Sequence, residues 1–212
     1  MHCCHGDAGH ATPEEIVLGG AIQMARVECF NESSPHSGRS VLKLECSRAS
    51  KAAYCETPPG GDAELLLNIP FTASVRLRGL CVSGGEAPGG RPTRVRLFAN
   101  SSLDIGECAA AAGTQELALP SADEGAEVWH SLRVAKFSTV TSLQLYFFTD
   151  GEGGGGGGGG GDPPPMRVYY VGLKAEVGAP KLGVVHAVYE SRAQLADHKQ
   201  AEGAAGGASL LH

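Results

Sequence analysis

A chain of 212 residues with 42% hydrophobic content is long enough to bury a core and suits one domain with tails. Its net charge of −6 gives no electrostatic reason to expect nucleic acid as a partner, because phosphate binding needs clustered positive charge. No apolar run approaches the roughly 18 residues of a membrane helix, and the N-terminus lacks the basic start and apolar stretch of a secretory signal, so a cytosolic location, extending to the nucleus, is expected.

Residues 1–14 are polar and read as a flexible lead. They carry His2, Cys3, Cys4, His5 and His10, residue types that bind zinc. Side chains of consecutive residues diverge, so only two or three of His2, Cys3, Cys4 and His5 reach one ion, with His10 completing the set. The plainer reading is a disordered tail; a redox-sensitive Cys3–Cys4 pair is another. No other cofactor is expected.

From residue 15 to 190 short β-type runs alternate with Gly/Pro turns, which predicts an antiparallel sandwich or barrel. The runs are 41–46, 64–71, 74–82, 93–99, 129–137, 139–148, 166–174 and 184–190. In 74–82, Val75, Leu77, Gly79 and Cys81 are expected on one face, with Arg76 and Arg78 on the other. Val95 and Leu97 oppose Arg94 and Arg96, and Leu143, Leu145 and Phe147 share a face. Each such strand has one dry and one wet side, the pattern of half-buried antiparallel sheets. Helix is scarce: one short helix is expected within Ser101–Gly113, capped by Ser or Asp, and another within Ser191–Gln200.

The stretch GEGGGGGGGGGDPPP (151–165) lies between two strand runs and reads as an inert insertion in their connection. It lacks the GK[ST] ending of a phosphate loop. The 191–212 tail is Gly/Ala-rich and flexible, and ends in Leu210, Leu211 and His212. The two leucines suit an apolar groove; the terminal imidazole and carboxylate suit a metal site on a partner.

Seven cysteines occur, at positions 3, 4, 29, 46, 55, 81 and 108, with no CxxC pair. In a reducing compartment they read as free thiols, several buried. No GxSxG, HExxH or paired-carboxylate motif is present, and the internal histidines are scattered singly, so no catalytic residue is assigned. In ECFNES (28–33), Asn31, Glu32 and Ser33 are expected to fix a turn through backbone hydrogen bonds. Cys29 is expected in the core rather than as a nucleophile. If their strands adjoin, Arg76, Arg78, Arg94 and Arg96 form a positive patch able to orient an acidic partner; otherwise they are an ordinary solvated face.

Six segments in order resemble one family. ECFNES resembles the CLNES signature of the PITH domain, and DAELLLNIPF (62–71) its D-E-x-L-L-x-x-I-P-F segment. SVRLRGL, PTRVRLFAN, LRVAKFSTVTSLQLYF and MRVYYVGLKAE follow, and VYESRAQLADHK (188–199) is similar to the tail of the stand-alone members rather than of those fused to thioredoxin. The resemblance covers about residues 25–199. It implies an all-β sandwich of jelly-roll, galactose-binding-like type and a non-catalytic module that interacts with the proteasome, its regulatory particle being the suspected partner. No membrane or small-molecule substrate is implied. Two alternatives stand beside it: a lectin-like ligand-binding module, whose aromatic platform Trp129 would have to leave the core, and a metal-binding or redox-sensing protein using the N-terminal cluster. The Gly and Pro runs depart from the family pattern, and GECAAAAGTQELAL (106–119) has lost most of the acidic residues usual there.

Overall fold

The computed structural model describes residues 20–85, 90–120, 128–150 and 164–177. The N-terminal lead, the run at 184–190, the helix expected at 191–200, the tail and most of the Gly-rich stretch lie outside the described residues. Among the described residues there are eight strands: β1 (Glu28–Phe30), β2 (Cys55–Glu56), β3 (Glu64–Gly84), β4 (Arg94–Ala99), β5 (Gln115–Ala118), β6 (Trp129–Ser131), β7 (Val140–Phe148) and β8 (Arg167–Val177). Two short helices, α1 (Ser37–Ser40) and α2 (Ile105–Ala110), accompany them.

All the strand pairings are antiparallel. The hydrogen-bonded order is β2-β8-β3-β7-β4-β5, with β1 and β6 also on β3. The 21-residue strand β3 is the pivot. Its first half, up to Pro70, pairs with β1 and β7; its second half, from Val75, pairs with β8 and β6 and keeps one pair with β7, Val75 to Val140. The register breaks between Pro70 and Val75, where proline has no N–H to give a ladder. One sheet therefore folds over itself into two arms, the first β1-β3-β7-β4-β5 and the second β2-β8-β3-β6. Their inner faces share one core: Leu65, Leu67, Ile69, Val95, Leu97, Leu143, Leu145 and Phe147 from the first arm, and Leu77, Leu80, Val82, Val171, Leu173 and Ala175 from the second. The all-β antiparallel sandwich expected from the alternation is the fold observed.

A second, smaller cluster lies on the outer face of the first arm. Leu66, Phe98 and Tyr146 meet Cys108 of α2, with Leu103, Ile105 and Phe148 packed around them. The Ala-rich helix forms there because Asp104 caps it: its carboxylate accepts from the Glu107 N–H, and Glu107 returns a bond to the Asp104 N–H.

Three expectations on strands are corrected. In 74–82 the alternation does not run through. A bulge between Leu77 and Gly79 reverses the faces, so Leu80 and Val82 enter the core with Val75 and Leu77, while Gly79 and Cys81 lie on the outer face. Arg78 occupies the bulge, and its carbonyl accepts from the Leu132 N–H. Residues 41–46 are not a strand. Val41 and Leu42 are buried, but the chain then turns, closed by Lys43 Nζ donating to the Ser50 and Ala53 carbonyls. The run 129–137 is a strand only to Ser131; a turn at Val134–Lys136 follows, and Leu132 and Phe137 anchor it in the core.

Candidate interaction surfaces and the thiol pair

The arginine rows face outward, as the alternation requires, but the structure does not merge them. Arg76 and Arg78 belong to the second arm; Arg94 and Arg96 belong to the first, with β7 between β4 and β3. Inward neighbours of both rows share the same core, so the rows point away from it on different arms. Each row also has carboxylate partners from strands or loops distant in sequence. Glu176 of β8 holds Arg76 at 3.5 Å and Arg78 at 2.5 Å. Glu116 of β5 holds Arg94 at 3.0 Å and Arg96 at 2.9 Å, and Asp150 takes the Arg94 Nε.

Arg96 has a further duty. Its guanidinium donates to the Cys108, Ala109 and Ala111 carbonyls at 2.8, 3.0 and 3.1 Å, satisfying the end of α2, and lies over the Phe148 ring at 5.1 Å. It is a structural residue as well as a charged one. Hydrogen bonding to Asp150 and Glu116 holds the Arg94 guanidinium more firmly protonated than usual.

Trp129, expected in the core, is half-buried on the outer face of the second arm. Its pairing partner is Cys81, on the outward side of the bulged strand, so the reversal carries the ring outward too. The Lys174 ammonium sits 4.4 Å from its ring centroid, and Gly79 lies beside it. The platform a sugar would stack on is thus occupied by a cation. On the first arm, Phe30 stays 48% exposed and forms an open groove with Leu103, Ile105 and the acidic Asp104 and Glu107. Sequence reading missed this groove, because Phe30 and α2 meet only through the packing of the arm.

ECFNES is a turn built by its own side chains. Asn31 adopts a left-handed conformation, φ 63°, and its amide donates to the Asp62 and Glu64 carbonyls. The Glu32 carboxylate accepts from the His36 and Gly38 N–H groups and from the Ser37 hydroxyl, holding the start of α1. That arrangement brings Cys29 beside the buried Cys55, sulfur to sulfur at 3.6 Å. The hydrogen bond from Cys29, with help from Ser37, holds the Cys55 thiol below its ordinary range against burial. The same bond and burial push Cys29 far up. The sequence did place Cys29 against the core; it gave no sign of its partner.

Among the described residues no helix is long and apolar enough to cross a membrane. His2, Cys3, Cys4, His5, His10, Leu210, Leu211 and His212 lie outside the described residues.

These features define an antiparallel sandwich with ion-paired outer faces, a covered tryptophan and a buried thiol contact. The PITH domain profile matches residues 9–193, and the chain belongs to the PITH domain family. It is similar to a PITH domain-containing protein of Drosophila melanogaster, 36% identical over 204 residues that cover 93% of this chain and 90% of the relative. A PITH domain-containing protein of Caenorhabditis elegans is 32% identical, covering 93% and 94%. PITH domain-containing protein 1 of Homo sapiens is 30% identical, covering 84% and 78%. The all-β antiparallel sandwich that the resemblance implied is the fold observed. Among solved structures, the fucolectin of striped bass aligns at TM-score 0.45 and 12% identity, over 76% of this chain and 49% of that one. A carbohydrate-binding module of Clostridium perfringens aligns at 0.43 and 10%, over 73% and 94%. Likeness at that level assigns no ligand.

Proposed function

We propose that this chain is a non-catalytic interaction module that docks on the proteasome, at its regulatory particle, through the sandwich surface and the 191–212 tail. The family match over residues 9–193 is the observation that carries this reading. The surface adds a physical means. Arg76 and Arg78 on one arm and Arg94 on the other are held in fixed positions by carboxylates, so a complementary surface meets oriented charge without first ordering long side chains. In the tail, Leu210 and Leu211 supply an apolar anchor and His212 an imidazole able to bind a metal. The N-terminal His/Cys lead has no part in this docking.

Affinity capture from native lysate tests the proposal, with the full chain beside versions lacking residues 1–10 or 191–212. Proteasome subunits recovered with the full chain and the N-terminal deletion, and lost with the C-terminal deletion, are the expected pattern. Their absence from every lane overturns it and leaves the family membership as shared fold alone.

A further inference from the structure

Cys29 and Cys55 stand apart from the docking surface. Cys29 lies in β1, whose pairing partner is the first half of β3; Cys55 lies in β2, at the far end of the second arm on β8. Their contact therefore spans the two arms at a margin where no strand ladder joins them.

Cys29, Glu32 and Cys55 bring three metal-type donors within 4.8 Å of one another. Glu32, however, is committed. Both its oxygens accept bonds from the α1 turn, at 2.5 Å from the His36 N–H and 2.8 Å from the Gly38 N–H. Using them on an ion would release two backbone donors, leaving two sulfurs as the chemically free groups. The Ser37 hydroxyl, 3.4 Å from Cys55 Sγ, lies against the buried sulfur. An apolar cavity of about 10 Å³, lined by Val41, Leu65, Leu67 and Val168 as well as the two cysteines, gives them slack to rotate without admitting more than about one water. Cys29 is the more accessible of the two, Cys55 being 2% exposed.

We propose that Cys29 and Cys55 are a modification site: a dithiol that closes to an intramolecular disulfide by exchange with a small-molecule disulfide of the glutathione type. Of the hydrogen-bonded pair Cys55 is the first thiolate, and it takes the Cys29 proton across the 3.6 Å contact as the more accessible Cys29 attacks. Cys29 Sγ bonds to one sulfur of the small disulfide, whose S–S bond breaks and releases one small thiolate. Cys55 then gives up its proton and attacks Cys29 Sγ, expelling the second. The two protein thiols lose two electrons and two protons, and the small disulfide gains both as two small thiols. The product ties β1 to β2, and so one arm to the other.

The full chain is equilibrated in buffers running from reduced to oxidised glutathione, acid-quenched, alkylated and cut with trypsin. Arg39, Lys43, Arg48 and Lys51 lie between the two cysteines, so cleavage separates their peptides unless a disulfide joins them. The expected result is a linked peptide pair at the oxidised end, absent in C29S and C55S and reversed by reduced glutathione. Because the linkage closes a span of 26 positions, the oxidised chain should also melt roughly 5–10 °C higher. Complete alkylation of both thiols at the oxidised end overturns the proposal, as does a glutathione adduct on Cys29 that never closes.

Discussion

Tyr170 sits on the outer face of β8 and yet is 1% exposed. Its ring lies across Gly172, where a β-carbon would collide with the Tyr170 hydroxyl and ring edge, so the glycine makes room for an aromatic laid along its own strand. Burial, with Cys81 adding to it, pushes the phenol up to about 12 from an ordinary 10. A raised phenol is more readily kept neutral folded than unfolded. Its contribution is complete below pH 10 and is lost as pH rises toward about 12. Urea unfolding across that window should therefore show stability falling, and Tyr170→Phe should flatten the slope. A slope unchanged in the variant would mean that another group sets it. Neither Tyr170's burial nor its seat on glycine was legible in MRVYYVGLK, because both depend on the fold that brings the chain around Glu45 and Arg48 close to the outer face. The outward turn of the arginines was legible from alternation alone. Their partners Glu176, Glu116 and Asp150 were not, since each comes from a segment that only the fold brings near.

At the scale of elements, β4 and the part of β7 from Leu143 onward were read correctly because each follows period two there. Val95, Leu97, Leu143, Leu145 and Phe147 are all at most 1% exposed. Strand β3 defeats that reading because a bulge inserts a residue, and a single insertion exchanges the faces beyond it. Leu80 makes the difference measurable. Unbroken alternation would set it on the wet side, where Leu80→Ala would cost less than about 0.5 kcal/mol. In the bulged strand it is fully buried, and the substitution should cost about 2–5 kcal/mol by chemical unfolding. The strand runs expected at 41–46 and, beyond Ser131, in 129–137 failed for another reason: Val41 and Leu42 are buried just before a turn, Leu132 and Phe137 are buried on either side of one, and apolar content alone does not distinguish that from a strand.

For the whole molecule, the order of the six family segments predicted the sandwich better than any one segment could. The connection between β7 and β8 holds nine consecutive glycines, and chain of that composition adds little closing entropy as it lengthens. Excising 153–161 should shift the melting temperature by no more than about 2 °C, and it should leave proteasome capture unaltered if the docking surfaces are those of the arms and tail. A larger loss of stability would show that the segment packs on the sandwich. The Cys29–Cys55 contact lay beyond sequence reading at this scale too: neither cysteine has a spacing motif, and only the folding-over of the sheet brings them together.

The sharing of β3 by both arms has a kinetic consequence. Neither arm can complete its ladders without the strand that the other also needs, and its partners come from both ends of the described chain, from β1 to β8. Long loops must close before those pairings return any free energy, so refolding should take milliseconds to seconds rather than microseconds. Once formed, the arms have no seam along which to part. Amide exchange from the two halves of β3 should then report a single opening event, not two.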